Sequence, residues 1–211
     1  KIYGGELKNK RVIIQGWGNV AATAAYYLAQ EGAIVVGIID KNGGLINKNG
    51  FSFEKISQLL ENRSENYLED QEIKSFEEIN NNIWKVGAEI FIPAAASRLI
   101  TNQNLEDMIK NKLEVISCGA NVPFADKEIF FGPIAKKADE QVSLIPDFIS
   151  NCGMARTFSY LMEKNIEMND FAIFEAVSKT IFDALKDTFN KNSSKKNIAK
   201  TAFEIALKKL P

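Results

Sequence analysis

An α/β fold with a doubly wound, mostly parallel sheet and C-terminal helices is predicted by three features: short apolar runs alternating with helical patterns, a glycine turn directly after the first run, and a late switch to three- and four-residue periodicity. Strands are predicted at Arg11 to Gln15, Ile34 to Ile39, Glu89 to Ile92, Leu113 to Ser117 and Val142 to Ile145. Each is short and almost continuously apolar, as a strand covered on both faces must be. Helices are predicted between them at Val20 to Gln30, Phe53 to Glu61, Asn104 to Lys110 and Asp126 to Lys137. Strand, helix, strand, repeated, implies right-handed crossovers and parallel pairing.

The segment Lys41 to Gly50 is rich in Gly and Asn and suits a turn or small hairpin better than a helix. Beyond Asn151 the strand pattern stops. Phe171, Phe174, Val177, Ile181 and Leu185 recur at helical spacing, as do Ile198, Ala202 and Ile205, with Asn190 to Lys196 as a polar hinge between two amphipathic helices. We therefore expect a cofactor domain over residues 1–165 and C-terminal helices over 166–211. The stripes of those helices either complete the core or dock on a domain outside this chain.

Twenty-six Lys and Arg against 27 Asp and Glu give a net charge of -1, so there is no global positive field to gather nucleic acid or anionic lipid. Any phosphate recognition has to be local. No apolar run has the length of a membrane span and no secretory leader is visible at the start, so a cytoplasmic protein is expected. The 211 residues contain no histidine, which excludes Ser-His-Asp and Cys-His nucleophiles, HExxH zinc sites and imidazole acid-base steps. Cys118 and Cys152 are 34 positions apart with no ligand spacing around them, so they read as two thiols rather than as a metal site or a disulfide framework.

The strongest local signal is Gly16-Trp17-Gly18-Asn19-Val20-Ala21, which follows a strand and opens a helix of small residues. By itself GxGxxA is common. Placed between strand and helix it acquires a mechanism: Gly16 permits the turn, Gly18 lets a pyrophosphate approach the backbone, Ala21 lets the helix pack closely, and the helix N-terminus offers free N–H groups. Asp40 ends the second strand, 19 positions after Ala21, where a carboxylate that binds the adenosine ribose is expected in a Rossmann-like domain. An acid there favours NAD by repelling a 2′-phosphate. Lys41 next to it can neutralise that charge, which leaves NADP possible. The bland alternative is that Asp40 is an ordinary turn residue at the end of a strand.

Five phrases together resemble the glutamate/leucine/phenylalanine/valine dehydrogenase family. They are KRVIIQGWGNVA (Lys10 to Ala21), DKNGGLINKNG (Asp40 to Gly50), FIPAA (Phe91 to Ala95), GANVP (Gly119 to Pro123) and IPDFISNCG (Ile145 to Gly153), in family order over about 150 residues. The resemblance implies oxidative deamination of an L-amino acid, with glutamate favoured, to a 2-oxo acid and ammonia, the hydride passing to NAD(P). It implies that Gly16, Trp17, Gly18, Asn19 and Val20 hold the pyrophosphate and that Asp40, with Lys41 beside it, meets the ribose. Ala94 and Ala95 would line the nucleotide, Asn121 the nicotinamide ribose, and Asn151 the carboxamide. Ser159 corresponds to a family serine that touches substrate.

Several positions depart from the family pattern: Cys118 stands where the family has Glu, Arg98 near a family Asn, Met154 at the second Gly of NAGG, and Arg156 at a neutral position. All fall toward the nicotinamide end. The family's catalytic Lys and Asp lie in an N-terminal domain that nothing here matches, and KIYGGEL (Lys1 to Leu7) resembles the linker into the cofactor domain. The expectation is thus a cofactor-binding half, inactive alone, with no catalytic residue and no metal of its own, from a parent that forms a homo-oligomer. The rival is a non-catalytic NAD(P)-binding sensor or assembly module.

Overall fold

The computed structural model describes residues 2–63 and 65–209. Lys1 of the predicted linker and the final positions 210 and 211 of the predicted C-terminal helices lie outside the described residues. Six strands form one sheet in the order β3-β2-β1-β4-β5-β6. They are β1 (Arg11–Gln15), β2 (Ile34–Asp40), β3 (Gly43–Ile46), β4 (Ile90–Pro93), β5 (Val115–Ser117) and β6 (Ser143–Ile145). All pairings are parallel except β2 with β3, an antiparallel hairpin that registers Asp40 against Gly43. The glycine- and asparagine-rich segment after β2 is therefore the small hairpin expected of it.

Alternation along the strands splits the core into two layers. Val12 and Ile14 of β1 join one apolar cluster while Ile13 joins the other, and all three are buried. The first layer holds α1 (Asn19–Gln30) and α2 (Phe53–Glu61), packed through Ala21, Ala22, Ala25, Ile56 and Leu59. The second collects α3 (Phe76–Asn82), α4 (Asn102–Lys110) and α5 (Pro133–Gln141). Covering both faces is what made the strands read as continuous apolar runs.

The helix expected over Asp126 to Lys137 is displaced: the helix runs Pro133–Gln141. Pro133 fixes the first helical position, and the residue before a proline avoids the helical region, so nothing upstream can join it. Asp126 serves it from outside, its two carboxylate oxygens accepting from Ile134 N–H and Ala135 N–H at 2.9 Å each. Three further helices lie outside the elements the sequence predicts. In α3 only Ile79 is buried, and its start is fixed by Ser75, whose hydroxyl accepts from Glu78 N–H at 3.3 Å. Then α6 (Asp147–Ser150), one turn long, leads into α7 (Gly153–Leu161), which has no buried residue.

The C-terminal helices differ from each other. In α9 (Ile198–Leu207), Ile198, Ala199 and Ala202 are buried, with Ala199 in the second core layer. Its N-terminus is clasped by the buried Asp139 of α5, whose carboxylate accepts from Ala199 N–H at 2.8 Å and Lys200 N–H at 2.9 Å. In α8 (Asp170–Lys191) the only buried residue is Thr188, and Phe171 and Phe174 are exposed. Among the described residues no helix is long and apolar enough to cross a membrane.

Candidate functional site

Where the chain leaves β1, builds β2 and β3 on one side and returns to β4 on the other, the carboxyl ends of the strands must part. A cleft of about 650 Å³ opens there, floored by Gln15, Gly16, Ile39 and Asp40 and walled by Ala94 and Ala95. Crevices at such a switch point are where open α/β sheets take ligands, and the volume suits a cofactor-sized molecule.

Two glycines shape it for different reasons. Gly16 has φ +95°, and a Cβ there would stand 2.8 Å from Ala94 O and 2.9 Å from Ala95 Cα, so the turn needs glycine for the fold itself. Gly18 is the N-cap of α1 with φ -74°, and a Cβ there would meet nothing nearer than Asn66 Oδ1 at 3.8 Å. The protein's own packing does not demand glycine at 18. Its bare backbone, at the head of α1 and on the cleft wall, leaves room for a ligand atom against the N–H groups, so the residues present fit a dinucleotide's phosphates.

Trp17 is completely buried, and its Nε1–H donates to Leu59 O at 3.1 Å. Its side chain is a core plug, leaving only backbone for any contact with a ligand. Asn19 is exposed, and its Oδ1 accepts from Arg63 Nη2 at 2.8 Å. Asp40 is 9% exposed, and its Oδ2 accepts from Leu68 N–H at 3.1 Å. The carboxylate thus pins the loop opposite as well as facing the cleft, which joins the two readings of this residue. Lys41 is exposed at the mouth, its Nζ donating to Tyr67 Oη at 3.0 Å.

Val20 faces a neighbouring groove of about 320 Å³ together with Gly119 and Ser150. Asn121 and Asn151 meet directly, Asn151 Nδ2 donating to Asn121 Oδ1 at 2.6 Å. The two turns are braced further by Val122 N–H on Asp147 Oδ2 at 2.8 Å and by Ser150 Oγ–H on Cys118 O at 2.7 Å. Ser159 lies exposed on α7. The structure therefore gathers Gly16, Trp17, Gly18, Asp40, Lys41, Ala94 and Ala95 around one cleft, leaves Asn19 exposed and bonded to Arg63, pairs the two asparagines beside the second groove, and leaves Ser159 apart. Asn66 and Tyr67 on the cleft wall, and Arg63 bonded to Asn19, were not anticipated: no period or motif marks them.

Burial pushes the Cys118 thiol well above its ordinary range, with the Asp147 charge adding to it, and burial also raises Cys152. Neither sulfur has the lowered pKa of a nucleophile. Among the described residues no group of three or more His, Cys, Asp or Glu is placed to hold a metal.

A mostly parallel sheet in this order, with a glycine turn and a cleft at the switch point, defines a Rossmann-type domain. The chain belongs to the Glutamate/Leucine/Phenylalanine/Valine dehydrogenase family, whose profile matches residues 1–210. It is 30% identical over 193 residues to the NADP-specific glutamate dehydrogenase of Saccharolobus shibatae, covering 88% of this chain and 41% of that protein. It is 34% identical over 153 residues to the glutamate dehydrogenase of Aeropyrum pernix, covering 71% of this chain and 33% of that one. In fold it resembles Plasmodium falciparum glutamate dehydrogenase 2, with a TM-score of 0.68 at 22% identity over 96% of this chain and 46% of that one. The chain spans less than half the length of these proteins.

Proposed function

We propose that this chain is the cofactor-binding half of an NAD(P)-dependent amino-acid dehydrogenase that deaminates an L-amino acid, glutamate by preference, to a 2-oxo acid and ammonia. The observation that carries this reading is the open backbone of Gly18 above the cleft, at the head of α1 and beside Asp40. When bound, the nicotinamide accepts the hydride from the substrate Cα. The chain's own residues bind and orient. Gly16 to Val20 receive the pyrophosphate through backbone N–H groups, Asp40 the adenosine ribose, and Ala94 and Ala95 the nucleotide face. Asn121 and Asn151, already joined, present amide groups to the nicotinamide ribose and carboxamide, fixing which ring face meets the substrate.

Residues 1–165 form the cofactor unit in this reading, with α9 completing its core. The exposed phenylalanines of α8 then face a substrate domain outside this chain, which supplies the catalytic Lys and Asp. Without them the 211 residues bind cofactor but do not turn over. The whole enzyme is placed in the cytoplasm as a homo-oligomer, and Ser159 approaches substrate only across the interdomain cleft.

Calorimetric titration of the chain with NAD and NADP, wild type beside Asp40→Ala and Asp40→Asn, tests the cofactor assignment. Binding of either dinucleotide, weakened by Asp40→Ala, is expected. No binding of either would refute it. Amino-acid-dependent reduction of the coenzyme by the intact protein tests the enzyme reading, and silence across a panel of L-amino acids would favour the sensor.

A further inference from the structure

The turn that carries Asn121 is held in a conformation its own residues disfavour. Val122 has φ +46°, where a branched Cβ crowds the backbone, and it precedes Pro123, which pushes the residue before it toward the extended region. Two backbone rules are broken at one position, next to one member of the asparagine pair. Such strain persists only where the surroundings over-determine it.

Hydrogen bonds from two neighbouring segments supply that constraint. Val122 N–H donates to Asp147 Oδ2 at 2.8 Å, and Val122 O accepts from Arg98 N–H at 2.8 Å. Arg98 is itself left-handed, with φ +61°, and its guanidinium donates to Asp126 O. Pro123 O accepts from Leu99 N–H at 2.9 Å and Ile100 N–H at 3.0 Å, which fixes the far side of the turn. Asp147 alone among these partners acts on Val122 through a side chain. Its other oxygen, Oδ1, accepts from Phe148 N–H at 2.8 Å in α6, and directly after α6 comes Asn151, whose Nδ2 donates to Asn121 Oδ1 at 2.6 Å. One carboxylate therefore ties together the two segments that hold the asparagine pair.

Resting on the cofactor reading above, we infer that Asp147 is a positioning residue for the nicotinamide half of the coenzyme. Its carboxylate holds Val122 left-handed, and the turn so held keeps Asn121 against Asn151. Charge matters as well as shape, because an N–H bonded to a carboxylate is a stronger tie than one bonded to a neutral oxygen. The adenosine half, received where β1 and β2 end, does not depend on this brace. Loss of Asp147 therefore separates the two halves of the dinucleotide in their affinity.

The test is calorimetric titration of the 211-residue chain with NAD and NADP, and with ADP-ribose and 2′-phospho-ADP-ribose, which lack the nicotinamide. Wild type is expected to bind the better coenzyme about tenfold more tightly than its nicotinamide-free counterpart, the size of one or two hydrogen bonds. Asp147→Ala should remove most of that ratio and leave affinity for the counterpart nearly unchanged. Asp147→Asn, which keeps the shape but loses the charge, should remove part of it and carries the test if the alanine variant does not fold. Val122→Gly added to either variant should restore part of the ratio, because glycine is left-handed without steric cost, a rescue that general loosening of α6 would not give. A wild-type ratio near one, a ratio unmoved by substitution of Asp147, or a loss that Val122→Gly leaves untouched overturns this proposal and leaves the cofactor reading intact. Failure of both NAD and NADP to bind overturns both.

Discussion

The exit turns of β1 and β4 touch backbone to backbone: a Cβ on Gly16 would stand 2.8 Å from the carbonyl oxygen of Ala94, whereas one on Gly18 would meet no backbone within 4 Å. This contrast separates a glycine kept for the fold from one kept for a ligand. Gly16→Ala combines a left-handed φ with an overlap that backbone cannot easily relieve, so a loss of at least about 1–3 kcal/mol is expected. Gly18→Ala should change stability by less than about 0.5–1 kcal/mol. Its effect should fall on dinucleotide affinity instead, through crowding of the phosphates. Urea denaturation and cofactor titration of the two variants measure both quantities, and equal destabilisation by the two would contradict the distinction.

Trp17 belongs to the turn that lines the cleft, while its side chain is in the core. Its ring is fully buried, and Nε1–H is satisfied by Leu59 O, so it ties the phosphate turn to the end of α2. Trp17→Ala should cost about 3–5 kcal/mol, in line with other large aromatic truncations. Trp17→Phe keeps most of the packing and loses a hydrogen bond, which leaves a buried carbonyl unsatisfied, for about 1–3 kcal/mol. Chemical denaturation monitored by circular dichroism gives the ordering. A Trp17→Ala protein as stable as wild type would place the indole elsewhere.

How much of this was legible in the sequence depends on which residues carry the signal. The strand runs, the hairpin after Asp40 and the turn at Gly16 were visible because each is local: apolar continuity, Gly and Asn turn chemistry, and a motif between strand and helix. The start of α5 was not, because a proline sets it and a side chain eight residues earlier, Asp126, caps it through space. The burial of Trp17 was hidden by a motif that says where the backbone goes and not which way the ring turns. Arg63 and Tyr67 belong to an irregular turn that gains meaning only when folding carries it to Asn19 and Lys41. Adjacency created by tertiary structure leaves no period in the chain.

The two thiols should differ in reactivity. Cys118 is 2% exposed and its thiol is pushed upward by burial, while Cys152, also raised by burial, is partly exposed. With an aromatic disulfide reagent at pH 8, one thiol should titrate slowly in the native protein and the second only after denaturant is added. Cys152→Ser should remove the native-state reaction. Rapid modification of both thiols without denaturant would mean that the strand end at Cys118 opens readily.

The clasp of Asp139 on α9 gives stability a pH dependence whose sign follows from burial. Its pKa is raised from the ordinary 3.8, desolvation outweighing the N–H donors of Lys200, Ala199 and Ile198 that act the other way. A carboxyl with a raised folded-state pKa binds its proton more tightly folded than unfolded, so its favourable contribution is complete below the unfolded value and is lost as pH rises through the folded one. Asp139→Asn keeps the shape and cannot ionise. The stability of wild type relative to Asp139→Asn should therefore be greatest at acid pH and decline as pH rises above about 4, the ordinary carboxylate value. Asp139→Ala removes the cap outright and should cost about 1–2 kcal/mol, with α9 the first element to lose protection in hydrogen exchange. Urea denaturation of the three proteins between pH 4 and pH 8 decides the sign. A wild-type advantage that grew with pH would show that the helix-end donors, and not burial, govern this carboxylate.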